Sequence, residues 1–92
     1  MTVTAQVPTA NASRYLQQLC KHWSHKFETS FDAAQGRIAF PMGAIAMTAQ
    51  PDHLVVTLHP EAGADIARFQ QVVADHLDRF AFREAPLSFD WH

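Results

Sequence analysis

Ninety-two residues, 48% hydrophobic and 17% charged, exclude a disordered chain and predict one domain over residues 1–92 with a small core. A formal net charge of −2 argues against a nucleic-acid partner, which needs a basic stripe to neutralise phosphates. No apolar run approaches the ~20 residues of a membrane span, and the opening Met1–Val7 has neither the basic start nor the apolar run of a signal peptide. The single cysteine cannot form an internal disulfide and suits a reducing compartment, so the expected location is the cytoplasm.

In chain order, Thr2 to Val7 alternates with Val3, Ala5 and Val7 on one face, the period of a half-buried strand. Pro8 stops it, and Thr9 or Asn11 is placed to cap a helix. From Ala12 the apolar residues Tyr15, Leu16, Leu19, Trp23 and Phe27 follow one helical face, which predicts a first helix to Trp23 or His25. Glu28 to Ala33 reads as a strand with Thr29 and Phe31 inward, Gln35-Gly36 as a turn, and Arg37 to Phe40 as the next strand. Ala44 to Ala49 and His53 to His59 then alternate, with Ile45, Met47, Leu54, Val56 and Leu58 inward. Four strands joined by short turns predict an antiparallel meander.

Pro60 and Glu61 suit the start of a second helix, whose apolar face is Ala62, Ile66, Phe69, Val73, Leu77 and Phe80. After Pro86, the residues Leu87, Phe89 and Trp91 form the inward side of a last strand. The order is β-α-β-β-β-β-α-β. Each strand has one apolar face, so the expected architecture is an α+β two-layer sandwich, with both helices on one side of a mostly antiparallel sheet. The opposite side, with Thr2, Thr4, Arg37, Thr57, His59, Ser88 and Asp90, faces water or a partner.

Chemistry concentrates at the two helix ends, Leu19–Phe27 and His76–Glu84. On a wheel of ~100° per residue Cys20 and His22 flank the apolar stripe roughly 160° apart; they cannot chelate one metal from a regular helix. His22 and His25, three apart, can share a face and are the metal candidates, although a second cysteine and a four-ligand spacing are missing. The plainer reading makes Cys20 a small buried hydrophobe and sets His22 and His25 near terminal carbonyls. His76 falls inside the apolar stripe of the second helix. There it either bonds a backbone carbonyl or meets His22, Cys20 or Glu84 across the helix seam. Arg83 and Glu84 leave the helix in a loop, where the guanidinium suits a carboxylate or phosphate and the pair equally suits tying the helix end to the sheet.

Four blocks carry a resemblance: Arg14-Tyr15-Leu16; Leu19 to Phe27; Gly36-Arg37-Ile38-Ala39-Phe40-Pro41-Met42-Gly43; and His76 to Glu84. In that order, over nearly the whole chain, they resemble the bacterial domain-of-unknown-function family 2218, with Trp23 and Met42 standing where Phe is expected. The resemblance implies a bacterial cytoplasmic protein linked to iron handling, because members also occur appended to siderophore-interacting, flavin-dependent reductases. It supplies no catalytic residues and no cofactor.

Three functions follow as expectations. The first is a non-enzymatic binding module holding a small ligand, a metal or a protein partner near Cys20, His22, His25, His76, Arg83 and Glu84. The second is an assembly domain that dimerises through its polar sheet face or an edge strand. The third is an enzyme using His76 or Cys20, for which no nucleophile–base pair is legible.

Overall fold

The computed structural model describes residues 2–92. Its elements are β1 (Val3–Pro8), α1 (Ala12–Trp23), β2 (Thr29–Phe31), β3 (Gln35–Phe40), β4 (Gly43–Ala49), β5 (His53–Pro60) and α2 (Ile66–Phe80). The five strands pair antiparallel throughout in the order β1-β5-β4-β3-β2. Both helices cover one side, giving an α+β two-layer sandwich, as the alternation of the strands predicts.

One layer of apolar side chains joins sheet to helices. Ala5, Val7, Ile38, Ile45, Met47, Leu54, Val56 and Leu58 project from the sheet. Leu16, Leu19, Cys20 and Trp23 of α1 meet them, with Phe69, Val73 and Leu77 of α2. Full burial of each large apolar side chain contributes about 1.5–3 kcal/mol, and this layer fixes which face of each strand points inward.

The boundaries depart from the sequence expectation at four places. Gln35 and Gly36 belong to β3, and the turn lies earlier, where Asp32 Oδ1 accepts the Ala34 and Gln35 amides at 2.7 and 2.9 Å. Gly36 is there for proximity: a Cβ on it would sit 2.7 Å from Cys20 Sγ and 3.2 Å from Leu16 Cδ2. The glycine lets α1 lie close on the sheet. Gly43 has φ +146°, and a Cβ there would meet the His59 carbonyl oxygen at 2.3 Å.

The second helix begins at Ile66, not Pro60. Pro60 ends β5, opposite Gly43, and Asp65 is the cap, accepting the Arg68 amide at 3.1 Å. The Asp65 carboxylate meets an orphan helix amide, whereas Pro60 is held in the sheet by its pairing with Gly43. Ala62 is consequently exposed in the connection.

The third departure is at the chain end, where no eighth element forms. The last residues run beside β1 and exchange one pair of backbone bonds: Thr4 N to His92 O and His92 N to Thr4 O, both 2.9 Å. Leu87, Phe89 and Trp91 do turn towards the core. Packing without a continuous ladder suffices to hold them.

The fourth concerns the start of α1. Asn11 occupies the cap position without a side-chain cap bond, and the Thr9 hydroxyl accepts the Asn11 amide at 3.1 Å instead. Both side chains are recruited elsewhere, as described below.

The Gly36 contact gives a direct check. Gly36→Ala is expected to destabilise by about 1–3 kcal/mol, the usual range for overpacking. The loss should be smaller in a Cys20→Ala background, where the sulfur is gone. Thermal unfolding of the four chains of this cycle measures the coupling; additive losses would mean that Cys20 does not limit the approach of α1.

Candidate functional site

The expected seam between the helix ends exists, but the structure divides its residues into three places. Cys20 is fully buried on the sheet side of α1, over Gly36. Burial pushes its thiol up to about 11, because a thiolate there would be desolvated without a counter-charge. It is a packing residue and does not join the seam.

His22 and His76 do meet, with ring centroids 5.5 Å apart. His76 also lies 4.8 Å from Trp23, and His22 5.9 Å from Phe80. The Val72 carbonyl can only accept, so His76 Nδ1–H donates to it at 2.8 Å, which leaves Nε2 as the acceptor of the neutral ring. His76 bonds a backbone carbonyl, as the plainer reading has it, and its ring also lies against His22 across the seam. His25 lies exposed beyond the end of α1. Among the described residues no three His, Cys, Asp or Glu side chains converge as metal ligands.

The third place was only half legible. Glu84, arriving from the segment after α2, sits at the entrance to α1. Thr9 Oγ1 donates to both carboxylate oxygens, at 2.9 and 3.0 Å, and Asn11 Nδ2 donates to Oε2 at 3.1 Å. The Tyr15 hydroxyl donates to the same oxygen. These donors, Tyr15 first and Asn11 next, hold the Glu84 carboxyl below its ordinary range. Burial, and then the neighbouring carboxylate, push the Tyr15 phenol up. The first turn of α1 carries no acidic residue of its own, so Glu84 brings from ~70 positions away the negative charge that a helix N-terminus favours. Sequence reasoning named Glu84 but not Thr9, Asn11 and Tyr15 as its partners; a Thr-x-Asn ahead of a helix with no acid in its first turn was the available signal.

Beside this clasp is an open cleft of about 330 Å³, lined by Asn11, Arg14, Tyr15, Gln18, Phe80, Phe82, Arg83 and Glu84. Arg83 lies over the Phe82 ring at 5.7 Å, and Phe82 is 71% exposed. Among the described residues neither Arg14 nor Arg83 meets a carboxylate at ion-pair distance. Gln18 Oε1 is buried in the cleft wall without a hydrogen-bond partner, which costs about 1–3 kcal/mol while it stays unmet.

Two helices over one face of a five-stranded antiparallel sheet, with an open cleft beside a carboxylate clasp, define a small α+β sandwich. The chain belongs to the family described as "Uncharacterized protein conserved in bacteria (DUF2218)", whose model matches residues 4–92. It is similar in structure to PA4090 from Pseudomonas aeruginosa, solved by NMR, with a TM-score of 0.79 and 38% identity over 99% of this chain and 94% of that one. No curated protein matches the chain. Among the described residues no helix is long and apolar enough to cross a membrane.

Two pH effects follow. Because Glu84 titrates lower folded than unfolded, its contribution is full above the ordinary carboxylate pKa and is lost as pH falls through the depressed one. Tyr15→Phe should cost about 1 kcal/mol at neutral pH, and denaturant unfolding should show the gap closing in acid. His22 is lowered by partial desolvation and then by His76, Lys26, Arg79 and His25. Its contribution is full above the unfolded value and falls as pH drops from about 6.5 through the folded pKa. His22→Gln should flatten that limb of the stability profile, and an unchanged limb would place the acid sensitivity elsewhere.

Proposed function

We propose that this chain is a small non-enzymatic binding module and that its ligand is a compact organic anion taken into the cleft at Arg14, Gln18 and Arg83. The observation that carries this reading is the pairing of two guanidiniums that, among the described residues, have no carboxylate partner with a buried amide oxygen that accepts no bond from them. A planar carboxylate matches a guanidinium fork. A hydroxyl or N–H on the same ligand would satisfy Gln18. The exposed Phe82 ring offers an apolar platform at the mouth, of the sort that small-molecule sites combine with a few polar groups.

Glu84 does not compete for the arginines, since its oxygens are taken by Thr9, Asn11 and Tyr15. An aromatic hydroxy acid meets all three demands. The resemblance to chains appended to siderophore-interacting reductases supports the same class, because iron-chelating hydroxy acids belong to it; this iron link and a cytoplasmic setting are part of the proposal. The thiol of Cys20, buried and pushed up to about 11, speaks against the enzymatic alternative built on it.

The test is a 15N-detected NMR titration with salicylate. Saturable shifts should cluster at Asn11, Arg14, Gln18 and Arg83, and Arg83→Gln should weaken binding about tenfold, equivalent to 1.4 kcal/mol. Shifts that are absent, or that centre on other residues, would overturn the assignment.

A further inference from the structure

β1 stands at the edge of the sheet, and Leu87 to His92 lie along its outer side. Thr4 and His92 exchange both backbone bonds, each 2.9 Å, and a mutual pair of this kind means that the two segments run antiparallel. In that register Gln6 stands opposite Asp90, and Pro8 opposite Ser88. Thr4 turns its amide and carbonyl outward, so the period of two turns those of Gln6 outward as well. Pro8 has no N–H to give. Gln6 has one, yet among the described residues neither Gln6 nor Asp90 makes a backbone bond across this edge. The Asp90 carbonyl instead accepts the His92 Nδ1–H at 3.0 Å.

Few contacts hold this segment. At its root Leu87 is buried, and its amide donates to Asp78 Oδ1 at 2.9 Å. At its tip is the Thr4–His92 pair. Between them Phe89 and Trp91, stacked at 5.8 Å, pack against the core from partly exposed positions, while Ser88, Asp90 and His92 are exposed. On its inner side, by contrast, β1 is in register with β5 at six successive positions. Local opening is easiest where backbone bonds are few and apolar burial is partial, and both conditions hold here.

We propose that Leu87–His92 is a detachable strap, a guard on the β1 edge that comes away as one unit while the sheet and both helices stay folded. Closed, it takes up the outward amide and carbonyl of Thr4. Open, it bares Thr4 and Gln6 as a row of unpaired backbone groups, the kind of edge that sheets shield against added strands. The hinge lies between Glu84 and Leu87. Up to that point the chain is anchored by the bonds of Glu84 to Thr9, Asn11 and Tyr15, and by those of the Glu84 and Ala85 amides to the Ala81 carbonyl.

Two built-in contacts set the balance of the strap, in opposite directions. Asp78 holds it down at the root. The His92 ring keeps it loose, because by engaging the Asp90 carbonyl within the strap it competes with the rung that Gln6 N–H is placed to make. Neither contact belongs to the cleft, so the device stands whether or not the cleft takes an anion.

Native-state hydrogen exchange of the full chain, followed by NMR, tests it. The Thr4 and His92 amides should share one opening constant, about tenfold or more above that of the β4 and β5 amides and insensitive to low denaturant, because little surface is exposed. Asp78→Ala should speed exchange at Thr4 about fivefold, as the loss of one hydrogen bond implies. His92→Ala should act the other way: the Asp90 carbonyl is released, the Gln6 amide gains a rung, and exchange at both Gln6 and Thr4 slows about fivefold. A Thr4 amide that exchanges only together with those of β4 and β5, by unfolding of the whole chain, overturns the proposal. So does a Thr4 rate unmoved by Asp78→Ala, or a Gln6 amide that exchanges as freely in His92→Ala as before.

Discussion

A carboxylate near the end of the chain organises its beginning. Glu84 draws together Thr9, Asn11 and Tyr15, and so fixes the segment after α2 against the entrance to α1. The bonds are charge-assisted, hence stronger than neutral ones, and they close a loop of about seventy residues. Each end of the fold is tied a second time, since Thr4 and His92 exchange backbone bonds at the β1 edge. Asp78 Oδ1 accepts the Leu87 amide at 2.9 Å and holds the connecting segment between these two ties. A chain of this size buries a modest fraction of its surface, so such ties at its termini keep Leu87, Phe89 and Trp91 on the core.

The same clasp shapes the cleft. With its oxygens occupied by Thr9, Asn11 and Tyr15, Glu84 leaves Arg14 and Arg83 without a carboxylate at ion-pair distance among the described residues. The aromatic seam of Trp23, Phe40, Phe69 and His76 lies deeper, with Trp23 4.7 Å from Phe40 and Phe40 stacked on Phe69 at 5.7 Å. It holds α1 and α2 at a fixed separation. A site on two helices whose spacing is set by packed rings is more precisely positioned than one on a loop, although Arg83 and Phe82 belong to the segment after α2 and retain more freedom.

Much of the architecture was legible because burial imposes period. Alternation in β1, β4 and β5 and the 3.6-residue spacing in α1 follow from having one apolar side. Boundaries were less legible. Gly36 reads as a turn residue in isolation, since glycine suits turns, whereas its role is to admit Cys20 and Leu16 from a different element. Pro60 reads as a helix start, whereas it closes a strand opposite Gly43. In each case a residue with two local meanings was decided by a neighbour distant in sequence.

The site shows the same division. The sequence alone determined that Cys20, His22, His76, Arg83 and Glu84 stand at helix ends, because helical period and helix termination are local properties of the chain. It also determined the two-layer class, because each strand had one face to bury. The tertiary structure alone decided that Cys20 packs between α1 and the sheet over Gly36, that His22 faces His76, and that Glu84 takes its partners from Thr9, Asn11 and Tyr15. Those pairings depend on how two helices are rotated and spaced on one sheet, and that geometry comes from side-chain packing across the core, which no single segment encodes.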